Sequence, residues 1–132
     1  MNLAAVLDIV DRATAWAWIQ RTHLPDGVQC PVCGAMVDGE LALKAFRSLK
    51  RTYCRSHNGA FRPQAAVAVL RGTEWAPEEY VKFLLMHHAG RTDADIAALL
   101  GKSSGCVRDM SARVACLAQT SPLDADVLDG KG

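Results

Sequence analysis

Cys30-Pro31-Val32-Cys33-Gly34 and Cys54-Arg55-Ser56-His57 are two short runs with 20 residues between Cys33 and Cys54, and their reading decides the fold. Each run brings two metal-binding donors onto one tight turn, and the spacer is long enough to return the chain as a hairpin or a short helix. Three thiolates and one imidazole at this spacing suit a closed tetrahedral zinc site. Cys30, Cys33, Cys54 and His57 are therefore the expected ligands of a structural Zn2+. Gly34 fits the same geometry, because the residue after the second cysteine needs a positive φ to free backbone N–H groups toward the sulfurs. A catalytic zinc is not expected: all four positions are filled, and no acidic residue lies from Leu41 to Thr73 to act as a base. His23 falls outside the paired spacing. Cys106 and Cys116, ten apart on an expected helix, read as small buried hydrophobes.

Charge is uneven around this cluster. The 132-residue chain carries 15 Lys/Arg against 14 Asp/Glu, so bulk charge does not make it a nucleic-acid binder. Residues 41–73, however, hold seven basic groups (Lys44, Arg47, Lys50, Arg51, Arg55, Arg62, Arg71) and no carboxylate. Half the sequence is hydrophobic, yet no apolar run approaches the roughly 20 residues of a membrane span. Met1 to Val10 already contains Asp8 and reads as helix, not as an export signal. The expected setting is cytoplasmic, which makes a disulfide framework from five cysteines unlikely to form and a metal site the simpler reading.

Outward from the cluster, the apolar spacing of Leu3, Val6, Leu7, Val10, Ala13 and Ala17 predicts one helix over Asn2 to Arg21, ended by Pro25-Asp26-Gly27. Trp16 and Trp18 read as packing anchors. Gln64 to Arg71 is an apolar run expected to form a short connecting helix. Trp75-Ala76-Pro77-Glu78-Glu79 opens a helix with proline and acidic residues in its first turn, and Val81, Leu84, Leu85 and His88 form its expected stripe. Thr92 caps a helix from Asp93 to Leu100 with Ile96, Ala97, Leu99 and Leu100 on its apolar face, and Gly101 closes it. Ser103 or Ser104 starts a third helix through Val107, Met110, Val114 and Leu117.

Three short helices with a tight turn before the last form a helix-turn-helix arrangement. The expected architecture is mainly α with a small zinc ribbon: an N-terminal helix over 1–27, the ribbon over 28–63, a three-helix helix-turn-helix unit over 64–119, and a flexible tail over 120–132.

Cys30-Pro31-Val32-Cys33-Gly34, Tyr53-Cys54 and Phe61-Arg62-Pro63 together resemble the N-terminal zinc ribbon of insertion-sequence transposases, with His57 standing where those ribbons usually carry cysteine. Trp75-x-Pro77-Glu78-Glu79, Asp95 to Ser103 and Val107-Arg108 resemble a homeodomain-like domain of the Myb/SANT or GcrA type. That second resemblance implies that Lys102, Ser103, Ser104, Gly105, Arg108 and Ser111 face DNA, with Arg91 and Lys82 on phosphates.

The reading that follows is a non-enzymatic, zinc-containing DNA-binding transcription regulator. Lys44, Arg47, Lys50, Arg51, Arg55 and Arg62 are its expected phosphate contacts, and the third helix its major-groove reader. The alternative is a protein-interaction adaptor of phage or bacterial type that docks on RNA polymerase or another partner, with the Trp-containing first helix as a partner or homodimer surface. An enzyme has little support. His57-Asn58 is a fragment of a nuclease His-Asn-His set, and neither a phosphate-cradling glycine loop nor a Ser-His-Asp set is present.

Overall fold

The computed structural model describes residues 3–120, and they are mainly helical with one small antiparallel sheet. The elements are α1 (Leu3–Asp8), α2 (Arg12–His23), α3 (Glu40–Arg47), β1 (Thr52–Cys54), β2 (Gly59–Phe61), two 3-10 turns (Pro63–Ala66 and Ala68–Leu70), α4 (Pro77–His88), α5 (Asp93–Leu100) and α6 (Ser104–Thr120). The tail expected over 120–132 lies, beyond Thr120, outside the described residues. No helix among those described is long and apolar enough to cross a membrane.

The single N-terminal helix expected over Asn2 to Arg21 is two helices. Asp11 adopts extended backbone and its carboxylate accepts the Thr14 N–H at 2.7 Å, so the chain restarts as α2 there. A side chain that satisfies an orphan donor at a new N-terminus competes with helix continuation, and here it wins. The face carrying Trp16 and Ile19 then packs into the interior, and α2 lies along α4. Trp16 Nε1 donates to the Phe46 carbonyl at 2.8 Å and its ring meets Phe46 at 5.1 Å. The Trp16 face of α2, expected as a docking or homodimer seam, is thus spent inside the chain.

Gln64 to Arg71 is not a helix joining two separate units but the pair of 3-10 turns, with Val67, Val69 and Leu70 buried. Arg113 of α6 fastens them: its Nη1 donates to the carbonyls of Arg71 (2.9 Å) and Val69 (3.3 Å). The ribbon and the three C-terminal helices therefore share one hydrophobic core running from Trp16 through Phe46, Phe61 and Leu70 to Phe83, Ile96 and Met110.

Within that core α4 buries Tyr80, Phe83, Leu84 and Met86; of the expected stripe only Leu84 is buried, Val81 and Leu85 are half-buried and His88 is exposed. The cause is that α4 has α1 and α2 against one side and α5 against another, so its buried surface is broader than one stripe and rotated from it. On α5, Ile96 and Ala97 are buried but Leu99 is exposed. α5 packs against both α4 and α6, and Leu99, 62% exposed, stays outside those contacts. Thr92 caps α5 by accepting the Asp95 N–H at 3.2 Å, and Gly101 ends it at φ 70°.

Candidate metal centre

The first knuckle is built from backbone bonds. Cys30 N–H donates to Ala35 O and Gly34 N–H to Cys30 O, each at 2.9 Å, and Val37 N–H reaches Val28 O at 2.8 Å. Gly34 sits at φ 78°, the left-handed conformation its position requires. The fold turns the Val32 N–H toward Cys30 Sγ at 3.4 Å. The second knuckle is the turn of the β1–β2 hairpin, whose register pairs Thr52 with Phe61, Tyr53 with Ala60 and Cys54 with Gly59. Asn58 takes φ 55° there, a backbone state asparagine tolerates. Gly59 has no Cβ for a nearer reason: one placed there would lie 2.8 Å from His57 Nε2, so the imidazole could not keep its position.

These turns bring the donor atoms of Cys30, Cys33, Cys54 and His57 within 4.8 Å of one another, and the four residues could hold a metal ion such as zinc. Cys33 Sγ and Cys54 Sγ are 3.7 Å apart. A tetrahedron with metal–sulfur bonds of about 2.3 Å has an edge of about 3.8 Å, so the spacing suits the ion. Cys30 Sγ approaches His57 Nδ1 at 3.0 Å. Cys30 and Cys54 are buried and Cys33 is exposed.

Electrostatics separate the thiols. The His57 backbone N–H donates to Cys54 and, against the opposing effect of burial, brings its thiol down to about 6 with help from the His57 side chain and the two other cysteines. At Cys33 the Ala35 N–H pulls the same way, but desolvation and the neighbouring thiols together raise it. Sulfurs crowded this closely resist holding several negative charges unless a cation sits among them. That is the donor chemistry of a divalent soft-to-borderline metal.

The other expected site residues are dispersed. Lys44, Arg47, Lys50, Arg51 and Arg62 are exposed and make no ion pair among the described residues. Arg55 is exposed and lies 3.8 Å from the equally exposed Asp38 carboxylate. Ser103, Ser104, Gly105, Arg108 and Arg91 are also exposed, while Lys82 is half-buried. Ser103 is the capping serine, accepting the Cys106 N–H at 3.1 Å.

Two residues expected to face DNA are engaged within the chain. Lys102 Nζ lies 3.2 Å from Glu79 and 4.8 Å over the Trp75 ring. Ser111 donates to Asp93 at 2.8 Å. His23, the outlying ligand candidate, pairs its Nε2 with the Tyr80 hydroxyl at 2.9 Å. Cys106 is half-buried but Cys116 is exposed, so only the first approaches a small core residue. Compared with protein-family models, curated proteins and solved structures, the chain matches none.

Proposed function

We propose that the chain is a non-enzymatic DNA-binding transcription regulator in which a structural zinc ion at Cys30, Cys33, Cys54 and His57 holds a cationic ribbon against a helix-turn-helix formed by α4, α5 and α6. The observation that carries this reading is the set of five exposed cations on the ribbon, Lys44, Arg47, Lys50, Arg51 and Arg62, without an ion pair among the described residues. They lie in a stretch without one carboxylate. A three-thiolate zinc centre carries one negative charge, fewer than these groups neutralise, so a surplus faces solvent. In this reading they contact phosphates, and Arg108 with Ser104 and Gly105 at the start of α6 meets the groove.

The test is duplex binding followed by fluorescence anisotropy over a salt series. If all five ribbon cations displace counterions, log affinity falls with log salt at a slope of about −4.5. Absence of duplex binding at low salt sinks the reading.

One observation favours the second reading, an adaptor for RNA polymerase or another protein. Val32 and Leu41 are 68% and 84% exposed beside the metal cluster, and apolar side chains that open suit a protein partner. A stable protein complex unaffected by Arg108→Ala, with no duplex binding, selects it.

A further inference from the structure

The β1–β2 hairpin has two unlike faces. Thr52, Cys54 and Phe61 point into the core, so the intervening residues alternate outward. The outward row is Arg51, Tyr53 and Arg55 on one side, with Ala60 directly across from Tyr53. Arg62, two residues after Ala60 and still in extended backbone, continues that face. The result is an aromatic ring, 48% exposed, on the same hairpin face as Arg51 and Arg62, with Arg55 at the turn 3.8 Å from Asp38. Arg51 and Arg62 fall opposite each other by register, and like charges there repel, so folding gains nothing from that pair.

Two further features shape the face for a ligand. Ala60 is too small to cover the tyrosine ring, whose hydroxyl donates to Asn58 Oδ1 in the turn. Arg51, Tyr53 and Arg55 also line a cleft of about 670 Å³ together with Met36, Leu41 and Ala42, and Asp38 and Glu40 line it too.

We propose that this face is a stacking platform for an unpaired base of single-stranded nucleic acid. The base lies on the Tyr53 ring, the phosphate on one side meets Arg51 and Arg62 at the open end of the hairpin, and the phosphate on the other meets Arg55 at the turn. Bases stack on aromatic side chains whatever their identity, and arginines on either side track the backbone, so the pairing of ring and charge selects a nucleic-acid strand. Duplex bases are already stacked and cannot reach the ring. An acidic peptide would satisfy the arginines but has no flat π-face to lie on the exposed ring, which every base has. The proposal rests on the reading that the cationic ribbon meets nucleic acid, and it adds a second strand state to it.

The zinc-loaded full chain is titrated with a mixed-sequence single-stranded 12-mer and with its duplex, by anisotropy, for the wild type, Tyr53→Ala and Tyr53→Phe. Tyr53→Ala is expected to lose roughly 5- to 150-fold in affinity for the single strand, the value of one base–aromatic stack. Tyr53→Phe keeps the ring and the affinity, and duplex binding stays level in both. Duplex binding with no single-strand affinity, or single-strand affinity indifferent to Tyr53→Ala, overturns the platform while leaving the cationic reading intact. Failure of both nucleic acids removes both readings, and tighter binding of an acidic peptide assigns the face to protein. Because Tyr53→Ala can unfold the hairpin, amide shift mapping on the wild type is run beside it. Shifts under the single strand that spare residues 51–62 overturn the proposal without any variant.

Discussion

Lys102 stands at the turn into α6, where the homeodomain-like resemblance implies that it faces DNA. Its ammonium instead spans Glu79 and the Trp75 ring, with its side chain only 15% exposed. Glu79 is itself held by the Ala76 N–H at 2.8 Å, so the three groups tie the start of α4 to the α5–α6 turn. Replacing Lys102 by alanine removes a partly desolvated cation–π contact and an ion pair, a loss of about 1 to 2 kcal/mol. The expected outcome is a lower melting temperature with an unchanged salt dependence of duplex binding. A true phosphate contact would instead lower the slope by about 0.9. A lowered slope with unchanged melting would show that the lysine leaves Trp75 for DNA.

At the scale of the element, α5 was the most legible part of the chain. Thr92 and Gly101 have direct local reasons to begin and end a helix, and both stand where those reasons put them. Thr92→Ala should cost about 1 kcal/mol, read by thermal or denaturant melting, and a neutral result would mean the α5 start is held by packing alone. The metal cluster was equally legible, because ligand type and spacing survive any detail of the intervening fold. Elements decided by tertiary contact were not. Asp11 as a helix start competes with an uninterrupted apolar stripe, and only packing of α2 on α4 settles it. The end of α3 is harder still. Leu49 occupies φ 59°, a state normally left to glycine, while Lys50 N–H bonds back to Ala45 O at 2.9 Å. A leucine gives no sequence cue for that turn; it is held because Leu49 packs on the core. The alternation of residues 51–55 is legible in the sequence, but placing Ala60 across from Tyr53 needs the hairpin register, which no residue in the run announces.

For the whole molecule, the decisive fact is that Phe46 and Phe61 of the ribbon belong to the same core as Phe83 and Met110. A metal held at the knuckles would therefore support the helices as well. Stoichiometric zinc contributes folding free energy on the order of 10 kcal/mol in small domains. Stripping it with a chelator is expected to abolish helical circular dichroism and Trp16 burial in one transition, with zinc content measured on the same sample. Helices that persist unchanged after complete metal loss would show the C-terminal unit standing alone. Cys54→Ser should reproduce the loss, since it removes a buried ligand.

The 3-10 turns between ribbon and helices have a mechanical consequence. Clamped by Arg113 and sunk through Val67 and Leu70, they leave the chain no slack at the point where a linker would ordinarily give it. If the ribbon cations and the start of α6 engage one duplex together, as proposed, the distance between their contact points is fixed, and inserting about five base pairs, half a helical turn, would rotate the second point to the far side and break the engagement.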